Sequence, residues 1–306
     1  MRKRYITPGG STYDIYTDAL RQPHLLIAGA TGSGKSVIVN ALIHAALLRL
    51  PGGPDGSRLI LIDPKRVELS QWRDMPHTIK YASEPDEMRE ALNLAMQITE
   101  KRFHQLQRQG RKKYSGPDLY IIVDEFADLM TTQRKHIAPT IQRLAQLGRA
   151  AKVHLIIATQ CPLRQIIPTE IKCNFDSRFG LRTRSAQDSR NIIERAGLER
   201  LPRYGQAVYM TPEGEGLYNI PMIPDVELAR VAAWWTGRKC RGRIFSLTGR
   251  PKNSKIKSDH FREVQQNDEI RSKDAERKIQ YAANPKRHYK TSHCLHPRYP
   301  HLSTGA

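Results

Sequence analysis

The sequence predicts an α/β fold with a mostly parallel central sheet flanked by helices. Four short apolar runs alternate with stretches of helical character, and each run is continuously apolar instead of alternating with polar residues. Strands that are buried on both faces of a parallel sheet show this continuous pattern. The four predicted strands are residues 24–28, 58–62, 119–123 and 153–158.

Helical patterns fill the intervals between these runs, and residues rich in Gly and Pro separate them. We predict helices over residues 37–48, 87–107, 135–149 and 225–235, the last one ending at Gly237. Further strands are predicted near 177–181, 206–210 and 216–220, with a hairpin turn at 211–215.

Residues 29–36 read Gly-Ala-Thr-Gly-Ser-Gly-Lys-Ser and connect the first predicted strand to a helix. In this context, backbone N–H groups and the helix N-terminus form a phosphate-binding loop. A glycine-rich turn without a ligand is the alternative, which the flanking strand and helix disfavour. We expect Lys35 to contact the β- and γ-phosphates of ATP and Ser36 to ligate Mg²⁺. The predicted ATP-binding residues are Gly29, Ala30, Thr31, Gly32, Ser33, Gly34, Lys35 and Ser36.

Polar residues follow three of the other predicted strands. Asp124 is expected to hold Mg²⁺, and Glu125 to polarise the water that attacks the γ-phosphate. Gln160, after the strand at 153–158, is expected to sense that phosphate. An acidic pair that merely follows a buried strand is the alternative for the two carboxylates. For Asp63-Pro-Lys65, a strand-ending turn is as good an interpretation as a functional one.

Composition indicates a polyanionic partner. The net charge is +20 and the isoelectric point is near 10, which favours nucleic acid or an anionic membrane face. No apolar run reaches the ~18 residues of a membrane span, and no signal peptide is evident. The four cysteines suggest no disulfide framework, so we expect a cytoplasmic protein.

The character of the chain changes after Gly237. Residues 238–306 contain 17 Lys or Arg and 6 Asp or Glu, a net charge of about +11, and few regularly spaced apolar residues. We predict a lead-in at 1–20, an ATPase domain at 21–237 and a basic, largely disordered tail at 238–306. We expect the tail to bind DNA, and docking to a partner protein or to an anionic membrane face is the alternative.

Several motifs resemble the motor domain of the FtsK/SpoIIIE DNA translocases, and together they cover about residues 20–237 in the family's order. The resemblance implies a RecA-like P-loop NTPase that assembles as a ring, usually a hexamer, around double-stranded DNA. It also implies that ATP lies between subunits. The matching segments are residues 23–36, 62–65, 68–70, 123–130, 143–146, 158–160, 188–190 and 196–197.

The resemblance further implies that a neighbouring subunit supplies an arginine to the γ-phosphate. Arg149 matches that position, and Arg143 is a weaker candidate; a helix-terminal arginine that complements the helix dipole is the alternative. Cys161 stands where the family usually has arginine, and Ala186 where it has lysine. Arg182 and Arg184 are close to Ala186 in the sequence, so we expect the DNA-facing charge to be redistributed. The candidate DNA contacts are Lys172, Arg182, Arg184 and Arg190.

These observations predict an ATP-dependent translocase of double-stranded DNA, or a coupling ATPase for DNA transfer, of a mobile element or plasmid. One alternative is an FtsK-like ATPase that acts on protein substrates in secretion, against which the basic charge argues. Another is a DNA-binding module that uses ATP only as a switch, which Glu125 disfavours.

Overall fold

The computed structural model describes residues 13–49, 57–163, 165–220 and 222–236. One sheet forms the centre, in the order β3-β2-β4-β5-β1-β6-β7-β8. The first six strands in chain order run parallel, and the last two form an antiparallel edge. The predicted α/β fold with a mostly parallel sheet is confirmed. The strands are β1 (His24–Ala28), β2 (Arg58–Ile62), β3 (Thr78–Ala82), β4 (Leu119–Val123), β5 (Val153–Thr159), β6 (Ser177–Gly180), β7 (Gln206–Thr211) and β8 (Gly214–Asn219).

Helices cover both faces of this sheet. Helices α3 and α4 pack against each other and share one apolar core with the sheet, whereas α2 lies against β1 and β5 and contacts α1 and α7. Two short 3₁₀ helices, Ser70–Trp72 and Leu198–Arg200, lie in connections. The α-helices are α1 (Tyr13–Arg21), α2 (Lys35–Arg49), α3 (Pro85–Gln109), α4 (Phe126–Ala151), α5 (Thr169–Lys172), α6 (Ala186–Ile193) and α7 (Asp225–Thr236).

Burial on both faces explains the continuous apolar runs. All five residues of β1 and of β4 are buried, as are all seven of β5. Successive side chains of a strand point to opposite faces, so a strand covered by helices on both sides is apolar at every position. The sequence predicts the bounds of these strands to within one residue, and it does the same for β2, β6 and β7.

Helix α4 starts earlier than predicted. The prediction covered residues 135–149, but the helix begins at Phe126, directly after the two carboxylates. Gln133 has non-helical dihedral angles (φ −135°, ψ 21°), and Pro139 lies within the helix. Proline removes a backbone N–H donor and disturbs the preceding turn. The non-helical Gln133 interrupts the helix, and the prediction covers only the part after this interruption, including Pro139.

Other differences concern exposed or short elements. Strand β3 was not predicted, because it forms a partly exposed sheet edge and lacks a continuous apolar run. The predicted turn at 211–215 is wrong in length: only Pro212 and Glu213 separate β7 from β8, which begins at Gly214. Helices α1 and α6 are further elements that the prediction did not include.

No helix in the described ranges is long and apolar enough to cross a bilayer. The predicted basic tail, residues 238–306, lies outside the described residues, as does the start of the predicted lead-in.

Candidate functional site

The loop at 29–36 leaves the carboxyl end of β1 at the centre of the sheet. Gly32 (φ +70°) and Gly34 (φ +106°) adopt left-handed backbone conformations that glycine accommodates without strain. Gly29 allows a close approach, because a Cβ there would lie 2.8 Å from both the Leu181 Cβ and the Ser33 Oγ. The loop is therefore tightly curved, as a cradle of backbone N–H groups must be.

Lys35 lies inside this loop. Its side chain is buried, and the ammonium donates to the carbonyl oxygens of Gly29 (3.0 Å) and Ala30 (3.2 Å). Burial lowers the pKa of Lys35 to about 8, although the charges of Glu125 and Asp124 oppose this shift. The hydroxyl of Ser33 is buried without a hydrogen-bond partner among the described residues. An ammonium that burial destabilises and an unsatisfied hydroxyl both fit an anionic ligand such as a triphosphate.

Asp124 and Glu125 follow β4, two strands away from the loop. Both are buried, and the Asp124 backbone N–H donates to the Ile62 carbonyl at 2.9 Å, which joins their position to the end of β2. Burial, followed by the charges of Asp63, Glu68 and Glu125, raises the pKa of Asp124 to about 7. A divalent cation would reverse this shift, so the group of carboxylates fits Mg²⁺.

Glu125 is held by a network of contacts. Its Oε1 accepts from the Gln160 backbone N–H (3.1 Å) and the Thr159 hydroxyl (3.4 Å), and its Oε2 pairs with the Lys65 ammonium (3.3 Å). Its backbone is left-handed (φ 57°, ψ 65°), which costs a non-glycine residue roughly 1–3 kcal/mol. A strained backbone and a fixed carboxylate at one position are features of a functional residue.

Gln160 contacts both the phosphate loop and Glu125. Its side-chain oxygen accepts a short hydrogen bond from the hydroxyl of Thr31 in the phosphate loop, while its backbone N–H donates to Glu125. The structure therefore brings the loop, the carboxylate pair and Gln160 together at the carboxyl ends of the central strands, as the sequence predicts. A residue bonded to both groups is suitably located to respond to the γ-phosphate.

Two basic residues extend the site beyond the residues predicted for it. For 63–65 a turn and a functional role are equally good interpretations of the sequence, and the structure shows the turn together with an ion pair to Glu125. The Lys65 ammonium reaches Glu125, whereas Asp63 accepts the Leu69 backbone N–H at 3.0 Å, which organises the turn. The guanidinium of Arg203 lies beside Gly32. The sequence signal for Lys65 is its place in a family motif, and Arg203 carries no such signal.

Arg149 lies far from this site within its own chain. It is exposed in the last turn of α4, a helix that begins beside Glu125. At 1.5 Å per residue, the helix separates the two residues by roughly 30–35 Å. Its side chain makes no hydrogen bond or ion pair with any residue that the structure describes, and Arg143 on the same helix is also exposed.

The four candidate DNA contacts fall into two pairs. Lys172 pairs with Glu194 at 3.5 Å, and Lys172 and Arg190 line one cavity between α5 and α6. Arg182 and Arg184 are exposed after β6, where the Arg182 carbonyl accepts the Ala30 N–H of the phosphate loop at 2.8 Å. The pair at 182–184 therefore adjoins the phosphate loop, and the other pair lies at the cavity between the two helices.

The sequence of this chain matches a family model and several curated proteins. The chain matches the model of the FtsK/SpoIIIE family over residues 6–121 and 103–163. It is 34% identical over 267 residues to DNA translocase FtsK of Pseudomonas syringae pv. tomato, covering 74% of this chain and 33% of that protein. It is 39% identical over 254 residues to DNA translocase FtsK of Treponema pallidum, covering 74% and 31%. The chain thus spans about a third of the length of these curated relatives.

Solved structures share the fold at lower sequence identity. The pCW3 conjugation coupling protein TcpA, in a monomer form with ATPγS, is 22% identical with a TM-score of 0.62, covering 70% of this chain and 66% of that one. The cytoplasmic domain of the type VII secretion ATPase EccC from Thermomonospora curvata is 22% identical with a TM-score of 0.58, covering 69% and 28%. These similarities support the P-loop ATPase fold of this chain.

Proposed function

The chain belongs to the FtsK/SpoIIIE family and has a P-loop ATPase fold, and on this premise we propose that it hydrolyses ATP to move double-stranded DNA. One observation carries the proposal. The phosphate loop, Asp124, Glu125 and Gln160 lie together at the carboxyl ends of the central strands, where Gln160 contacts both the loop and Glu125. Lys35 neutralises the phosphates, and Glu125 orients the attacking water.

Mg²⁺ is the proposed cofactor beside ATP, held by Ser36 and Asp124. Ser36 lies in the first turn of α2, directly after Lys35, and Asp124 follows β4, the strand next to β5. The metal would neutralise charge on the β- and γ-phosphates and return Asp124 to its ionised form.

We propose double-stranded DNA as the substrate. The curated relatives quoted above are DNA translocases by name, and the net charge of +20 suits a phosphate backbone. We further propose a ring, with six subunits as the expected number, that works in the cytoplasm in the transfer of a plasmid or other mobile element. Arg149 of one subunit would then serve the nucleotide of the next, and Lys172, Arg182, Arg184 and Arg190 remain the proposed DNA contacts.

The test is ATP turnover by the full chain at several protein concentrations, with linear double-stranded DNA, with heparin, or with neither. DNA should stimulate turnover more than heparin does, because a translocase responds to the duplex and not to negative charge alone. Turnover per chain should rise with protein concentration, because the proposed site is shared between subunits.

Lys35→Ala is the matching variant, with Lys101→Ala on the exposed face of α3 as a control for the loss of one positive charge. Lys35→Ala should abolish turnover, and Lys101→Ala should retain it. Turnover close to wild type in Lys35→Ala would refute the ATPase assignment. Stimulation by a protein and not by DNA would favour the secretion alternative.

A further inference from the structure

The connection at 201–205 lies at the carboxyl ends of the parallel strands, as does the phosphate loop. Strand β7 runs antiparallel to β6, with Val208 opposite Gly180, and β6 runs parallel to β1. The start of β7 therefore lies where β1 and β6 end. The residues just before β7, Arg203 and Tyr204, consequently emerge beside the loop at 29–36.

Arg203 lies against the backbone of that loop. A Cβ placed on Gly32 would be 3.7 Å from the Arg203 Nη2 and 4.0 Å from its Nε. The guanidinium also stacks on the Tyr204 ring, 5.2 Å from its centre, and Tyr204 is 61% exposed. Arg203 is thus an exposed residue that lies beside the loop and stacks on its neighbour Tyr204.

The charge of Arg203 is not matched by a carboxylate. Among the residues that the structure describes, Arg203 makes no ion pair and no hydrogen bond from its side chain. Arginines nearby in the sequence differ: Arg195 pairs with Glu215 at 2.7 Å and Arg200 with Glu199 at 3.6 Å. A guanidinium without a carboxylate partner, beside a phosphate-binding loop, is suited to contact a phosphate.

We propose that Arg203 contacts the phosphates of the nucleotide bound by its own subunit. The planar guanidinium donates two parallel hydrogen bonds to phosphate oxygens, which suits this role better than a point charge. The contact is separate from the one proposed for Arg149, which lies at the far end of α4 and would serve the nucleotide of a neighbouring subunit. This inference rests on the proposed function, because it requires that the loop binds a nucleoside triphosphate.

The experiment compares Arg203→Ala with Arg200→Ala in the full chain. Arg200 is a matched control because it is three residues away, its side chain is 85% exposed, and it already has a carboxylate partner. Affinities for ATPγS and for inorganic tripolyphosphate are measured by competition against a fluorescent ATP analogue. Arg203→Ala should weaken both by about tenfold, as expected for losing a hydrogen bond to a charged group. Arg200→Ala should change neither by more than about twofold.

Equal affinities in the two variants would overturn the inference. Weaker binding of ATPγS with unchanged binding of tripolyphosphate would also overturn it, because the contact would then be to the nucleoside. Arg203→Lys, which keeps the charge, should recover part of the affinity, and its failure to do so in a folded protein would count against a phosphate contact. If the wild type binds no ATPγS, the proposed function fails first, and the inference fails with it.

Discussion

The two ends of helix α4 differ in burial, in backbone conformation and in hydrogen bonding. At its start, Glu125 is buried, has a left-handed backbone and is bonded to Thr159, Gln160 and Lys65. At its end, Arg149 is exposed and has no partner among the described residues. The first end is preorganised within the chain, and the second presents a charge outward. The proposed site, which Arg149 of a neighbouring subunit would complete, requires such a difference between the two ends.

The comparison also explains what each residue needs from its surroundings. A carboxylate that orients water must be fixed before the reaction, and backbone strain with several hydrogen bonds fixes it. An arginine that meets a neighbour's phosphate must keep its donors unpaired until that neighbour arrives. Substitutions at the buried end should therefore be poorly tolerated, whereas substitutions at the exposed end should affect only the assembled protein.

The largest expected effect is at the buried end. Glu125→Gln keeps the size of the side chain but removes the carboxylate, so ATP should still bind while turnover falls by on the order of a hundredfold or more. ATP affinity and turnover are measured together. Glu90→Gln, a change at an exposed carboxylate on α3, is the control and should leave both unchanged. Turnover that survives in Glu125→Gln would mean that another residue activates the water.

A smaller effect should appear in stability. The pKa of Asp124 is about 7 in the folded chain and about 3.8 when unperturbed. Between these values the folded state binds more protons than the unfolded state, so the free energy of unfolding falls as pH rises. Asp124→Asn lacks this penalty. Without Mg²⁺ and nucleotide, it should be more stable than wild type at pH 8 by on the order of 2 kcal/mol.

Urea unfolding at pH 8 and pH 5 checks this prediction. The advantage of Asp124→Asn should shrink at pH 5, because less of the penalty has accumulated there. Asp176→Asn, at an exposed carboxylate, is the control. An advantage that does not change with pH would show that ionisation of Asp124 is not its cause.

Much of the buried end could be predicted from sequence. The strands β1, β4 and β5 were predicted as buried apolar runs, and the phosphate loop, Glu125 and Gln160 lie directly after them in the sequence. Glu125 and Gln160 can therefore be chosen as candidates without the structure. Their hydrogen bonds cannot, because these depend on the order of the strands, which brings β5 beside β4 and β1.

Contacts between residues distant in the sequence account for what could not be predicted. Arg203 lies beside Gly32 only because β7 runs antiparallel to β6, and no periodicity indicates that direction. Strand β3 is half exposed, so its residues alternate irregularly. The early turns of α4 are separated from the predicted part by Gln133, whose dihedral angles are not helical.

The smallest expected effect concerns the basic segment 238–306, which follows the ATPase domain. Its net charge of about +11 predicts binding to DNA phosphates. Deleting it should weaken DNA binding and flatten the salt dependence, with a slope change of about 0.9 for each phosphate that is no longer neutralised, while basal ATP turnover persists. A salt titration of DNA binding for the full and shortened chains measures both slopes. Identical slopes would instead favour docking of this segment to a partner protein.

The shared site is tested most directly by mixing two inactive variants. Arg149→Ala should bind ATP without hydrolysing it, and Lys35→Ala should not bind ATP but keeps Arg149. With assembly verified and Arg108→Ala, an exposed arginine at the end of α3, as an active control, the mixture should regain part of the wild-type turnover. Each restored site would combine the nucleotide of one subunit with Arg149 of the next. No turnover at any mixing ratio would contradict a site completed by Arg149 of a neighbouring subunit.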